Sequence, residues 1–208
     1  MSELLPLFPL PNVVLFPNVF LPLHIFEPRY REMTADALAA DRLIGMVLLR
    51  PGWERDYEGR PSIYRIGCSG VITHVEQTQD GRYNLVLRGL DRFRVVEEDD
   101  ARPYRRAIVE STPDRPLVGE DREAVHSFRA KLESILARHV RVSDGKIPKA
   151  MPDEDLVNAL AQYLEFDPVE KQALLERDGV LDRCRSLIEL LEMKVLVARH
   201  KWDRDGRH

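Results

Sequence analysis

The chain has 208 residues, 44% of them hydrophobic, and a formal net charge of -4. That size and apolar content suit one large domain or two small ones with a proper core, and the charge argues against a globally basic nucleic-acid binder. No apolar run reaches the roughly 18 residues that a membrane span needs.

The N-terminal stretch LPLFPLPNVVLFPNVFLPLHIFEPRYREM, residues 5–33, carries six of the 14 prolines among large apolar side chains. An export signal is excluded here, because Glu3 precedes the run and Pro6, Pro9, Pro11, Pro17 and Pro22 interrupt any helix. A soluble, cytoplasmic protein is the expectation. NVVLFP (12–17) and VFLPLHIF (19–26) read as short strands bounded by proline, and Pro28 opens a helix over 28–41 with Tyr30, Met33 and Ala37 on one face. LIGMVLLR (43–50) has strand length and a polar loop follows it. IYRIGCSGVITHVEQ (63–77) reads as a bent strand, with Gly67 and Gly70 permitting a kink or bulge. Asp80-Gly81 then predicts a tight hairpin into YNLVLRG, and DRFRVVEE (91–98) and YRRAIVES (104–111) complete six or seven strands.

Beyond residue 112 the period changes from two to 3.6. TPDRPLVGED has linker composition, and Val125, Phe128, Leu132, Ile135 and His139 form one stripe of a helix over 120–140. Leu156, Leu160 and Tyr163 are expected on one face of the next helix. Asp167, Pro168 and Glu170 spell a capping box, and Gly179 ends that short helix. The last and longest helix sets Leu181, Cys184, Ile188, Leu191 and Val195 in register, before a polar tail, DRDGRH, expected to fray. The division expected is a β-rich subdomain over 1–112, a linker over 113–119 and a helical bundle over 120–208.

The sequence carries no persuasive catalytic pattern. DGKIPK lacks the first glycine and the Ser/Thr of a phosphate-binding loop, and GCSG is followed by Val71 where a nucleophile elbow needs glycine. His24, His74, His126 and His139 show no metal-ligand spacing, so structural or solvent-facing roles are expected and no cofactor or metal. Cys68 and Cys184 sit in apolar patterns and read as buried free thiols. Two binding surfaces suggest themselves. Phe16, Phe20, Trp53 and Tyr57 lie in proline-rich or loop segments and are candidates for contact with a polypeptide. Arg88, Arg92, Arg94, Arg105 and Arg106 would form the alternative, a basic sheet face for RNA.

Taken together, FPLPNVVLFPNVFLPLHIFEPRYREM, YRIGCSGVITHVEQTQDGRYNLVLRGLDRFRV, PYRRAIVE and DEDLVNALAQYLEFDPVEKQALLERDGVLDRCRSLIELLEM resemble the N-terminal substrate-binding domain of the Lon protease family, from about residue 4 to 193. Cys68 departs from the threonine common there. The resemblance implies an α+β fold, a PUA-like pseudo-barrel with one helix followed by an α-helical bundle. It also implies a non-enzymatic module binding unfolded or misfolded polypeptides, standing alone without ATPase or peptidase domains. A separate protease or chaperone and a second copy of the chain are the other partners considered, and neither membrane nor nucleic acid is expected. The initial Met and polar tail favour a whole gene product.

Overall fold

The computed structural model describes residues 4–57, 59–139 and 150–205, without the side chains of 138–139 and 198–205. DGKIPK, the His139 side chain and the last three residues of the expected tail lie outside these. Among the described residues the elements run β1 (Leu5–Leu10), β2 (Phe20–Ile25), α1 (Pro28–Ala39), β3 (Leu43–Leu48), β4 (Ile66–Gln77), β5 (Tyr83–Asp99), β6 (Arg105–Ser111), α2 (Gly119–His139), α3 (Asp153–Tyr163), α4 (Pro168–Leu175) and α5 (Val180–Asp205). A β-rich part is thus followed by a helical part, the expected α+β class.

The sheet closes on itself. β1 pairs with β3 in parallel and with β6 antiparallel, β3 pairs with β4, β4 with β5, and β5 returns to β6. β2 adds to this circuit through β5 alone, Phe20 opposite Arg88 and Ile25 opposite Tyr83. Closure bends the long strands, and β4 and β5 absorb the bend through register shifts at Cys68/Gly70 and Ile72/His74.

Three sequence expectations need correction. NVVLFP forms no strand: it runs as unladdered backbone, with Val14, Leu15 and Phe16 buried at 4%, 1% and 0% exposure. The first strand is instead LPLFPL, whose prolines suggested punctuation. Pro6 pairs with Arg106 where β3 has not yet joined, and Pro9 pairs with Val47 where β6 has already left, so each proline has a strand on one side only. Finally, YNLVLRG and DRFRVVEE are one strand, β5, of 17 residues. Gly89 carries it past the 16–17 turn, where an added Cβ would lie 2.0 Å from the Phe16 carbonyl oxygen. The Asp80-Gly81 hairpin forms as expected, with Gly81 at φ 78° and the Thr78 amide donating to the Arg82 carbonyl.

The chain divides into two compact units that are not consecutive in sequence: Met1–Asp114 with Asn158–Glu176, and Arg115–Val157 with Arg177–His208. In the first, the buried residues include Leu7, Phe16, Ile44, Met46, Ile72, Leu85 and Leu87, and α1 contributes Tyr30, Met33 and Ala37 as its period predicted. The capping box at α4 is present, Glu170 accepting from the Asp167 amide at 2.8 Å. In the second, α2 packs on α5 with Val125, Leu132, Cys184, Leu187 and Ile188 buried. There Arg129 ties down the start of α3, its Nη1 2.8 Å from Asp153 Oδ1, while His126 bonds the other carboxylate oxygen at 3.0 Å. Burial would raise the Asp153 carboxyl, but the hydrogen bonds from Arg129 and His126 outweigh it and hold the group below the usual carboxylate range. α5 continues to Asp205, so half of the tail expected to fray is helical.

Candidate functional site

Phe16 and Phe20 are four residues apart, and an unbroken strand would show both on one face. A turn separates them: Asn18 takes φ 60°, its amide donates to the Gly89 carbonyl, and the Gly89 amide donates back to Val19. Phe16 is fully enclosed at 0% exposure, whereas Phe20 stands 50% exposed. Phe16 therefore belongs to the core and is withdrawn from the candidate surface.

The end of α3 fixes this turn. Gln162, buried at 6% exposure, accepts from the Phe16 amide through Oε1 at 3.0 Å and donates from Nε2 to the Phe20 carbonyl at 3.0 Å. The Tyr163 hydroxyl donates to the same carbonyl at 2.7 Å, and Lys171 donates to the Gln162 carbonyl. Tyr163, expected on the buried stripe of its helix, is 62% exposed; Val157, Asn158, Ala161 and Gln162 occupy the buried face instead. The result is a pair of exposed aromatic rings, Phe20 and Tyr163, on a backbone held by two side-chain donors. Sequence reading missed Gln162 and Tyr163. The signal available was the polar pair Asn158 and Gln162, one helical turn apart inside an otherwise apolar segment.

Strand alternation continues the surface along β2. The Val19 carbonyl is bonded to β5 and the Phe20 carbonyl to Gln162 and Tyr163, so Pro22 and His24 turn their backbone groups toward the edge where, among the described residues, no strand pairs. Pro22 removes the central donor of that edge, which blunts uncontrolled strand addition. Phe20, Pro22 and His24 are all exposed, and Phe26, 56% exposed, stacks on His24 with ring centroids 6.1 Å apart. His24 is itself held by Asn84 at 2.7 Å.

Trp53 and Tyr57 come together elsewhere on the barrel, ring centroids 5.4 Å apart, half-buried against the cluster of Leu7, Val47 and Phe93. Tyr57 donates to Glu27 at 2.6 Å, its carbonyl accepts from Arg29, and the Arg29 guanidinium lies 5.1 Å from its ring centre. Burial, together with the bond to Glu27, pushes the Tyr57 hydroxyl up. These two aromatics pin their loop to the start of α1.

The five arginines of the alternative surface do not form a free basic face. Arg92 is buried at 6% exposure, 2.9 Å from Asp114 and donating to the Leu175 carbonyl at the end of α4. Arg105, at 9%, is paired with Glu98 at 2.8 Å and Arg106 with Asp99, while Arg88 donates to Asn18. Arg94 alone of the five is exposed without such a partner among the described residues. Arg92 and Arg94 were expected to share a solvent face; the 112–114 segment and α4 cover the first. No group of His, Cys, Asp or Glu suited to a metal occurs among the described residues, nor any helix long and apolar enough to cross a membrane.

Comparison with known proteins agrees with this architecture. The chain is similar to Lon protease 2 of Myxococcus xanthus, 30% identical over 200 residues, covering 92% of this chain and 24% of that protein. It is also 30% identical to the Lon protease of Anaeromyxobacter dehalogenans over 198 residues, or 91% of this chain and 23% of that one. The chain thus spans about a quarter of the length of the curated relatives it matches. Two solved structures share the fold: a Lon N-terminal domain protein from Xanthomonas campestris, 24% identical with a TM-score of 0.61 over 90% of this chain and 98% of that one; and the N-terminal domain of Mycobacterium avium complex Lon protease, 17% identical, with a TM-score of 0.65 over 91% and 98%. A family model, the ATP-dependent protease La (LON) substrate-binding domain, matches residues 4–193, and the chain belongs to that family.

Proposed function

We propose that this chain is a recognition module that binds exposed apolar segments of unfolded polypeptides through the Phe20 and Tyr163 surface, without catalysing a reaction on them. The observation that carries the reading is the pair of exposed rings on a backbone clamped by Gln162 and Tyr163. A backbone already held in place loses little freedom when a client covers the rings it carries, so more of their apolar burial is retained as affinity. Family membership supports a substrate-recognition role. Nothing favours the RNA reading, since its arginines are largely engaged in ion pairs. Calorimetric titration with a reduced, carboxymethylated polypeptide tests the proposal. Saturable binding that weakens in Phe20→Ser is expected, and absence of binding up to about millimolar concentration, the weak end of the affinity scale, would end it.

A further inference from the structure

A recess of about 560 Å³ opens on the barrel between the β3–β4 loop and the last residues of β5. Four arginines line it: Arg50, Arg60, Arg65 and Arg105. Among the described residues its single carboxylate, Glu98, is already taken in a two-point bond by Arg105, at 2.8 and 3.3 Å. Among the described residues Arg50, Arg60 and Arg65 form no ion pair. Arg50 donates to the Ile63 carbonyl and Arg60 to that of Asp99, whose carboxylate feels the Arg60 charge without an ion-pair contact. In a chain with net charge -4, three such cations at one recess are a local reversal of sign. Beside them Val96 is 52% exposed, turned outward where the β5–β6 register shifts between Val95 and Glu97.

We propose that this recess binds carboxylate side chains of an extended polypeptide, with Val96 covered by an apolar residue between them. It rests on the polypeptide-binding reading above and adds a chemical class of client, segments mixing acidic and apolar residues. Guanidinium groups form two-point, charge-assisted bonds to carboxylates, and the half-exposed valine favours a peptide over a uniformly charged polymer. A single-stranded nucleic acid needs open aromatic faces for its bases, but the Tyr64 ring here is covered by the Arg50 guanidinium, 4.8 Å from its centre.

The test uses the full chain and two extended peptides, one alternating glutamate with valine and one alternating glutamine with valine. Binding of the glutamate peptide is expected to fall steeply between about 0.01 M and about 1 M salt, as the screening length shrinks. It should weaken on the order of tenfold in Arg60→Gln/Arg65→Gln. Arg60→Lys/Arg65→Lys should keep part of the affinity, and circular dichroism should show both variants folded. Equal binding of the glutamine peptide, no loss in the glutamine variant, or tighter binding of a single-stranded oligonucleotide would each overturn the proposal. If the glutamate peptide fails while an unfolded apolar polypeptide still binds in a Phe20-dependent way, this inference alone falls. If neither binds, the polypeptide reading falls with it.

Discussion

Replacing Gln162 with leucine removes a side chain that bonds both ends of the Phe16–Phe20 turn. The two bonds differ in consequence. The Phe16 amide lies in a fully buried residue and donates to Gln162 Oε1 at 3.0 Å, so losing that acceptor takes away a buried hydrogen bond, at about 1–3 kcal/mol. The Phe20 carbonyl keeps the Tyr163 hydroxyl at 2.7 Å, so the lost Nε2 bond costs only about 0.5–1.5 kcal/mol. Together Gln162→Leu should destabilise the unit by roughly 1.5–4.5 kcal/mol. Urea denaturation gives the totals, and hydrogen exchange at the Phe16 amide locates them. A leucine variant within about 0.5 kcal/mol of the parent, with Phe16 exchange unchanged, would refute the clamp.

Three further outcomes follow from the same geometry. Gly89→Ala places a Cβ 2.0 Å from the Phe16 carbonyl oxygen, a backbone clash that should cost at least the ~3 kcal/mol of severe overpacking, lowering Tm by on the order of 10 °C in a thermal scan. Cys184 is 0% exposed, and burial, with the Asp153 charge behind it, pushes its thiol up to about 11, while Cys68 is equally enclosed. Neither should react with a disulfide reagent near pH 8 until denaturant is added, and fast labelling of the folded protein would contradict that packing. The depressed Asp153 carboxyl contributes stability that is full above the ordinary carboxylate value of about 3.9 and disappears as pH falls through its lower folded value. The α2–α5 unit should therefore weaken below about pH 4, and Asp153→Asn should destabilise it at neutral pH while flattening that acid limb; an unchanged acid limb would refute the pairing.

The fold was legible wherever local chemistry decided it. Asp80-Gly81 fixed a hairpin because glycine accepts φ 78° there, and Asp167, Pro168 and Glu170 fixed a helix start. β1 was hidden because Pro6 and Pro9 look like strand breakers. Their tolerance depends on where β3 and β6 begin and end, which only the closed sheet sets. The candidate site was half legible for a similar reason. Phe20 is exposed but Phe16 is core, because the turn at Asn18 breaks the alternation that equates them. Tyr163 was misplaced because its face depends on which helix positions Gln162 draws inward. The ion pairs of Arg92, Arg105 and Arg106 were invisible too, since their partners Asp114, Glu98 and Asp99 are brought near by strand pairing and not by spacing.

The proposal that Phe20 meets the client is tested most directly by a photoreactive phenylalanine analogue at position 20, with the same group at the exposed hairpin residue Gln79 as control. Irradiation with an unfolded polypeptide should give crosslinks from position 20, competed by unlabelled client, and none from position 79. Equal yields at the two positions, or none at position 20 under conditions where binding is saturated, would contradict it.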